Sequence, residues 1–292
     1  VQFSLFMTDG QNDFSDAFSI RVNKDYVDIT TNNLDLSFNN YGRIGYTFAG
    51  AGLGVEYKGS ESLIKEMGVL LGISKDNVLS YQDYELLTFD LPKVNSTNSL
   101  SISEDAFTAS GVLDDSWALQ PKGIKVNQTA YAWNSENNQD YVIYEYTVKN
   151  PTGDLMENVF LGIFGDWDIG DKNNNIADFE SSKDLGYVYE PNGVYGGIKA
   201  LRTKNVNYYA FDKSGNDGIN ITDGFDDNEE YESMSSGVSH SNVSGDVANI
   251  ISNGPYSIHP GDSIVVAFAI LAGNDLNSLK INAQYAELMY EK

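Results

Sequence analysis

The segment DYVIYEYTVKNPTG, residues 140–153, restricts the fold more than any other stretch of the chain. Val142, Tyr144, Tyr146 and Val148 recur at every second residue, with Ile143 on the opposite side, so the apolar period is that of a strand. Aromatic and β-branched side chains fill it, and Asn150-Pro151-Thr152-Gly153 ends it with turn residues. The next segment, LMENVFLGIFGDWDI (residues 155–169), is predicted to be its partner strand.

The same rhythm of short strands and turns continues through GYVYEPNGVYGGIKAL, YYAFD, GPYSIHPGD and SIVVAFAILAG. Upstream, LDLSFNNYGRIGYTF predicts two short strands around Asn39-Asn40-Tyr41-Gly42. These features predict an all-β protein, a β-sandwich or jelly-roll-like domain with long polar loops. Residues 1–24 alternate separately: Val1, Phe3 and Leu5 precede an Asp9-Gly10 turn, and Phe18, Ile20 and Val22 follow it. They predict a β-hairpin that either joins the main sheet or is the last edge of a domain that begins upstream, with the large domain spanning 25–292. A helix is expected at the C-terminus, capped by Asp275, with Leu276, Leu279, Ala283, Ala286 and Leu288 on its packed side. The acidic stretch 212–246 reads as a surface loop or mobile insertion.

Composition narrows the function. Apolar residues make up 41% of the 292, so the net charge of -24 does not signal a disordered chain. Eighteen basic against 42 acidic side chains would repel nucleic acid and anionic membranes. No apolar run approaches the about 20 residues that span a bilayer. The absence of cysteine excludes disulfides and thiolate metal sites. The start Val-Gln-Phe reads as a piece of a longer polypeptide.

Few groups are suited to catalysis. His240 and His259 are the two histidines, and neither accompanies a Gly-x-Ser-x-Gly elbow or a His-Glu-x-x-His motif. The glycines at 50, 52 and 54 precede no Gly-Lys-Ser/Thr, and Lys58 is poorly placed for a phosphate loop, so they predict close backbone packing. With 42 acidic residues, accidental carboxylate pairs are inevitable and carry no information about glycoside hydrolysis.

One acidic loop stands out. Asp166, Asp168, Asp171, Asn173, Asn175 and Asp178 offer hard oxygen ligands of the kind a structural calcium ion takes. Asp171 at the sixth position and Ala177 at the twelfth depart from the EF-hand pattern, leaving a different Asp/Asn calcium loop or a solvated acidic turn as the two readings. Asp223, Asp226, Asp227, Glu229 and Glu230 form a second acidic cluster. Trp117, Trp133 and Trp167 with Tyr131 are the candidates for stacking on sugar rings, against the alternative of core packing.

The motif order NNYGRIGYTFAGAGLGVEYKGSESLI, VIYEYTVKNPTG, VFLGIFGDWDIG, GYVYEPNGVYGGIKAL and SGDVANIISNGPYSIHPGDSIVVAFAILAG resembles a β-rich accessory region. That region lies downstream of the catalytic domain in secreted subtilisin-like (S8 family) serine peptidases of bacteria with type IX secretion. The resemblance spans about residues 23–285; residues 1–22 are similar to the tail of the module before it. The family's catalytic Asp, His and Ser segments match nothing here, so no catalytic residue carries over. The resemblance implies an extracellular or cell-surface location within a larger polypeptide. The expected partners are the rest of that polypeptide, protein substrate, secretion machinery or surface glycan. The expected role is non-catalytic, stabilising or positioning the catalytic part or contacting substrate or cell surface; a carbohydrate-binding module is the rival.

Overall fold

Alternation in Tyr141–Lys149 becomes a two-faced strand. Val142, Tyr144, Tyr146 and Val148 enter the main core, while Tyr141 and Ile143 enter a second cluster on the other side. The computed structural model describes residues 2–8, 13–19, 25–82, 85, 93–95, 106–201, 205–216 and 218–292. Its early strands are β1 (Gln2–Thr8), β2 (Asp13–Ser19), β3 (Tyr26–Ile29), β4 (Leu34–Asn39), β5 (Val55–Tyr57), β6 (Ile64–Ser74) and β7 (Asn77–Ser80). The middle of the chain gives β8 (Lys93–Asn95), β9 (Phe107–Asp114), β10 (Lys125–Ala132), β11 (Tyr141–Lys149), β12 (Met156–Trp167) and β13 (Asn175–Glu180). Then come β14 (Leu185–Tyr189), β15 (Tyr195–Leu201), β16 (Val206–Asp212), α1 (Asp227–Ser235), β17 (Val243–Gly245), β18 (Val247–Ile258), β19 (Ser263–Gly273) and α2 (Leu276–Tyr290).

A nine-stranded sheet in the order β17-β13-β14-β15-β19-β11-β10-β9-β8 faces a five-stranded one, β16-β18-β12-β6-β7. Every pairing within them is antiparallel. The main core, with Tyr144, Leu161, Ile163, Trp167 and Phe268, lies between them. The all-β sandwich expectation therefore holds. A small sheet β3-β4-β5 adds Leu34, Leu36 and Phe38 to that core. The hairpin β1–β2 forms, pairing Gln2 with Ser19 through Thr8 with Asp13. Its turn Asp9-Gly10, together with Val1, Ile20 and Val22, lies outside the described residues.

Three local expectations need correction. The segment after residue 153 does not pair with β11: β12 lies in the opposite sheet, between β18 and β6. The cause is Asn150, which is fully buried. Its Oδ1 accepts from Thr152 N and Oγ1 at 2.9 and 2.7 Å, and its Nδ2 donates to the carbonyls of Asp154 and Ile258 at 2.8 Å each. These bonds turn the chain across the sandwich instead of back along β11. It also suits β12, whose Leu161 and Ile163 face the main core while Phe160 and Phe164 face a third cluster on the outside. Second, only β4 forms as a strand around Asn39–Gly42; Arg43 and Ile44 make single bridges to Gly68 and Phe38. The glycine cluster does pack closely, for a Cβ on Gly52 (φ +120°) would lie 2.3 Å from Gly45 O.

Third, the described part of 212–246 is no loose loop. α1 carries a capping box in which Asp226 Oδ1 accepts from Glu229 N at 3.0 Å and Glu229 answers to Asp226 N. Met234, with Ile219, Ile221, Phe225 and Tyr231, packs on Phe164, Phe211 and Ile250 and covers the outer face of the five-stranded sheet. Beyond the helix, Gly237–His240 runs along β16: Tyr208 N donates to Gly237 O at 3.0 Å, Ser239 N to Tyr208 O at 2.9 Å and Ala210 N to His240 O at 2.8 Å. The acidic cluster here is thus largely a helix start, where negative charge is favourable.

α2 covers part of the other outer face. Its capping box joins Asp275 and Ser278, and Leu279, Ala283, Ala286 and Met289 pack against Leu185, Tyr187, Ala269 and Leu271. Leu288 is 50% exposed and Met289 takes the position expected for it. The spacing 279, 283, 286, 289 keeps one stripe of a 3.6-residue helix, and 288 falls off it. Buried Lys199 ties the helix down, donating to Lys183 O at 2.6 Å and pairing with Glu287 at 3.1 Å. Among the described residues no helix is long and apolar enough to cross a membrane.

Candidate functional site

The acidic loop after β12 is where the sequence concentrates charge, and the structure divides its residues. Asp166, next to last in β12, has 3% of its surface exposed. Asp168 is held beside it by its backbone N–H, which donates to Leu63 O at 2.9 Å. The other four of the expected ligand set are occupied elsewhere. Asp171 caps a short 3-10 turn, accepting from Asn173 N, Asn173 Nδ2 and Asn174 Nδ2 at 3.1, 2.9 and 3.0 Å. Asn175 is fully buried and pairs both ways with the backbone of Ile169, at 2.6 and 3.1 Å. Asp178, on β13, accepts from Phe179 N at 2.8 Å and from the Tyr187 hydroxyl at 3.2 Å.

The third acid beside Asp166 and Asp168 is Asp246, which no reading of the loop alone suggests. One carboxylate oxygen from each of the three lies within 4.8 Å of the others. At an effective dielectric of about 20, two charges at that distance repel by roughly 3–4 kcal/mol. Lysines offset this. Lys213 Nζ donates to both oxygens of Asp166 at 2.8 and 2.9 Å and lies 3.0 Å from Asp246. Lys172 lies 2.9 Å from Asp246 and Lys65 3.7 Å from Asp166. Three ammonium groups thus stand against three carboxylates, with Lys213 at the centre.

Proton affinities follow. Burial pushes the Asp166 carboxyl above its usual range, against the pull of Lys213 and Lys65. Burial also pushes Asp246 up, but its bonds to Lys172 and Lys213 outweigh that and leave it below the ordinary aspartate value. Lys213 is held above its ordinary value: burial opposes its charge, and Asp166 and Asp246 overcome that opposition. Asp168 Oδ1, buried and with no hydrogen bond, lines a cleft of about 300 Å³ with Glu61, Ser62 and Glu190. No histidine, lysine or arginine lines that cleft.

The remaining candidates separate by burial. His240 Nδ1 lies 2.6 Å from the carbonyl of Ala210 and its ring stacks on Tyr209 at 4.9 Å, which pins Gly237–His240 to β16. His259 sits exposed in the β18–β19 turn, its carbonyl accepting from Asp262 N at 3.0 Å. Trp133 and Trp167 are 1% and 0% exposed, and Tyr131 is buried, so these three are core residues. Trp167 Nε1 donates to Asn249 Oδ1 at 2.9 Å. Trp117 alone stands out in solvent, 61% exposed in the β9–β10 loop.

No family model matches the chain and no curated protein matches its sequence. Among solved structures, it is similar to an Escherichia coli K12 protein provisionally assigned as an aldose 1-epimerase, with 8% identity and a TM-score of 0.46 over 85% of this chain and 98% of that one. It is also similar to a mutant of heparan sulfate lyase HepC from Pedobacter heparinus, with 8% identity and a TM-score of 0.44 over 86% of this chain and 35% of that one.

Proposed function

We propose that this chain is a non-catalytic, extracellular accessory region of a larger secreted protein, a subtilisin-like serine peptidase, which it serves by contact rather than by turnover. The motif order of the sequence supports the parentage. The observation that supports the non-catalytic role is the state of Asp166, a buried carboxylate with both oxygens held by Lys213. A general acid or base needs a lone pair or proton within reach of substrate, and Asp166 is 3% exposed with each oxygen facing the Lys213 ammonium.

The isolated chain should neither digest casein nor react with a serine-directed fluorophosphonate probe. Stoichiometric labelling of one serine, lost on His240→Ala or His259→Ala, would overturn the reading.

A further inference from the structure

Asp168 carries an acceptor that the fold leaves unused. Its Oδ1 is shut off from water and accepts no hydrogen bond, a costly state for a charged group. The lysines around it are committed to its neighbours. Lys172 feels the charge of Asp168 but bonds to Asp246 at 2.9 Å, and Lys213 holds Asp166 and Asp246. The residue is also fixed in place, since its N–H donates to Leu63 O at 2.9 Å. A ligand that reaches Oδ1 therefore meets a carboxylate that is already desolvated and positioned.

The cleft of about 300 Å³ that Asp168 lines has a matching character. Glu61, exposed, and Glu190, half-buried, line it too, and no basic side chain does. The Glu190 carboxylate lies against Gly170, where a Cβ would come 2.1 Å from its Oε2. Ser60 and Ser62 also border the space, but their hydroxyls are engaged: they accept from Tyr57 N and Val55 N and donate to the carbonyls of Glu61 and Ile64. The carboxylates are thus the acceptors left for a ligand. Leu63, Ile169 and Val194 supply apolar wall between them.

We propose that this cleft takes the lysine or arginine side chain of a basic peptide segment, with Asp168 as the anchoring carboxylate. The proposal rests on the contact role given above and names the partner, a protein that presents an exposed basic stretch. A bare metal ion needs its oxygens gathered about one centre. Among the described residues the carboxylates that close together are Asp166, Asp168 and Asp246, and Glu61 and Glu190 stand outside that group. Carboxylates spread along a cleft with apolar wall suit an elongated cation instead. A lysine or arginine has an apolar stem and a charged head, so the stem can lie along Leu63, Ile169 and Val194 while the head meets Asp168. Glu61 and Glu190 attract the same charge, and the net charge of -24 draws basic partners over longer range.

Fluorescence polarisation with the full chain and labelled Gly-Gly-X-Gly-Gly peptides provides the test, X being arginine, lysine or the uncharged arginine analogue citrulline. Salt of about 0.15 M screens contacts between exposed charges. The arginine and lysine peptides should bind and the citrulline peptide should not. Asp168→Asn should weaken binding at least about tenfold, the scale of a lost buried charge partner, and Glu190→Gln should weaken it by a smaller factor. Asp76→Asn makes the same change of charge in the exposed turn at the other end of β6 from Leu63, and should bind as the wild type does. Asp168→Asn removes no side-chain hydrogen bond, so it should fold normally; if it does not, Glu190→Gln decides. No binding of either basic peptide, equal binding of the citrulline peptide, or binding that Asp168→Asn and Glu190→Gln leave unchanged overturns the proposal. So does an equal loss in Asp76→Asn, which would reduce the effect to net charge, and so does displacement of the peptide by calcium bound through Asp168. Labelling by the fluorophosphonate probe is read independently: it removes the accessory reading whatever the peptides do, whereas an inert chain that binds no basic peptide removes only this partner.

Discussion

Replacing Lys213 by alanine should make the stability of the protein respond more strongly to calcium. In the wild type the Lys213 ammonium holds both oxygens of Asp166 and contacts Asp246. Removing one partner of a buried pair costs about 3–5 kcal/mol, because the other charge stays desolvated. At about 2 °C per kcal/mol for a domain of this size, Tm should fall by about 6–10 °C. The variant leaves Asp166, Asp168 and Asp246 facing one another, the oxygen-rich arrangement a divalent cation favours. With Kd about 10⁻³ M, calcium at about 10 mM would restore about 1.4 kcal/mol, or about 3 °C. The pH dependence has a definite sign. Burial already raises the folded Asp166 pKa, so its charge is a penalty above that pKa that disappears as pH falls through it. Loss of Lys213 raises that pKa further, and the gap between variant and wild type should narrow in acid. Differential scanning fluorimetry in EDTA and in calcium, at neutral and acidic pH, reads all of this. If calcium stabilises the wild type as much as the variant, Lys213 is not the cation of this site and the calcium loop expected from the sequence is the better account.

Two further changes probe α2. Leu279→Ala removes a fully buried leucine and should cost about 2–5 kcal/mol, whereas Leu288→Ala, half-exposed, should stay within about 0.5 kcal/mol, both read from denaturant melts. Glu180 is held down to about 2, chiefly by its hydrogen bond to Lys280 and with help from Ser182, so it favours the fold above its unfolded pKa and loses that effect as pH falls toward 2. Glu180→Gln should therefore cost stability at pH 7 but not near pH 2, and by no more than about 1 kcal/mol given its partial exposure to solvent.

Local pattern carried the parts of the fold that depend on local physics. Period-two alternation placed Val142, Tyr144, Tyr146 and Val148 on one face, and Asp275 announced the start of α2, because strand pleat and helix capping are set within a few residues. Which sheet a strand joins is not local. Asn150 looked like one more turn residue, and its decisive bond, to Ile258 O, spans more than a hundred positions. The acidic loop shows the same limit. Its surplus of aspartate was legible, but the groups that complete it, Lys213 and Asp246, come from the far side of the sequence and sit in stretches with no pattern of their own. The stretch 212–246 was misread because its polar composition hides a few apolar anchors, Ile219, Ile221, Phe225 and Met234, spaced too irregularly to register as an element.

The run of Gly237–His240 along β16 also bears on how such a chain behaves in crowded surroundings. An open border strand of a sheet is a template on which a second molecule can add a strand, and one such addition exposes the next template. Here the chain lays its own backbone over that border, in parallel register at Tyr208 and Val238, and pins it with His240. The added segment is short and leaves extended geometry at His240 (φ +53°), so it offers a second molecule a much shorter template than β16 itself would.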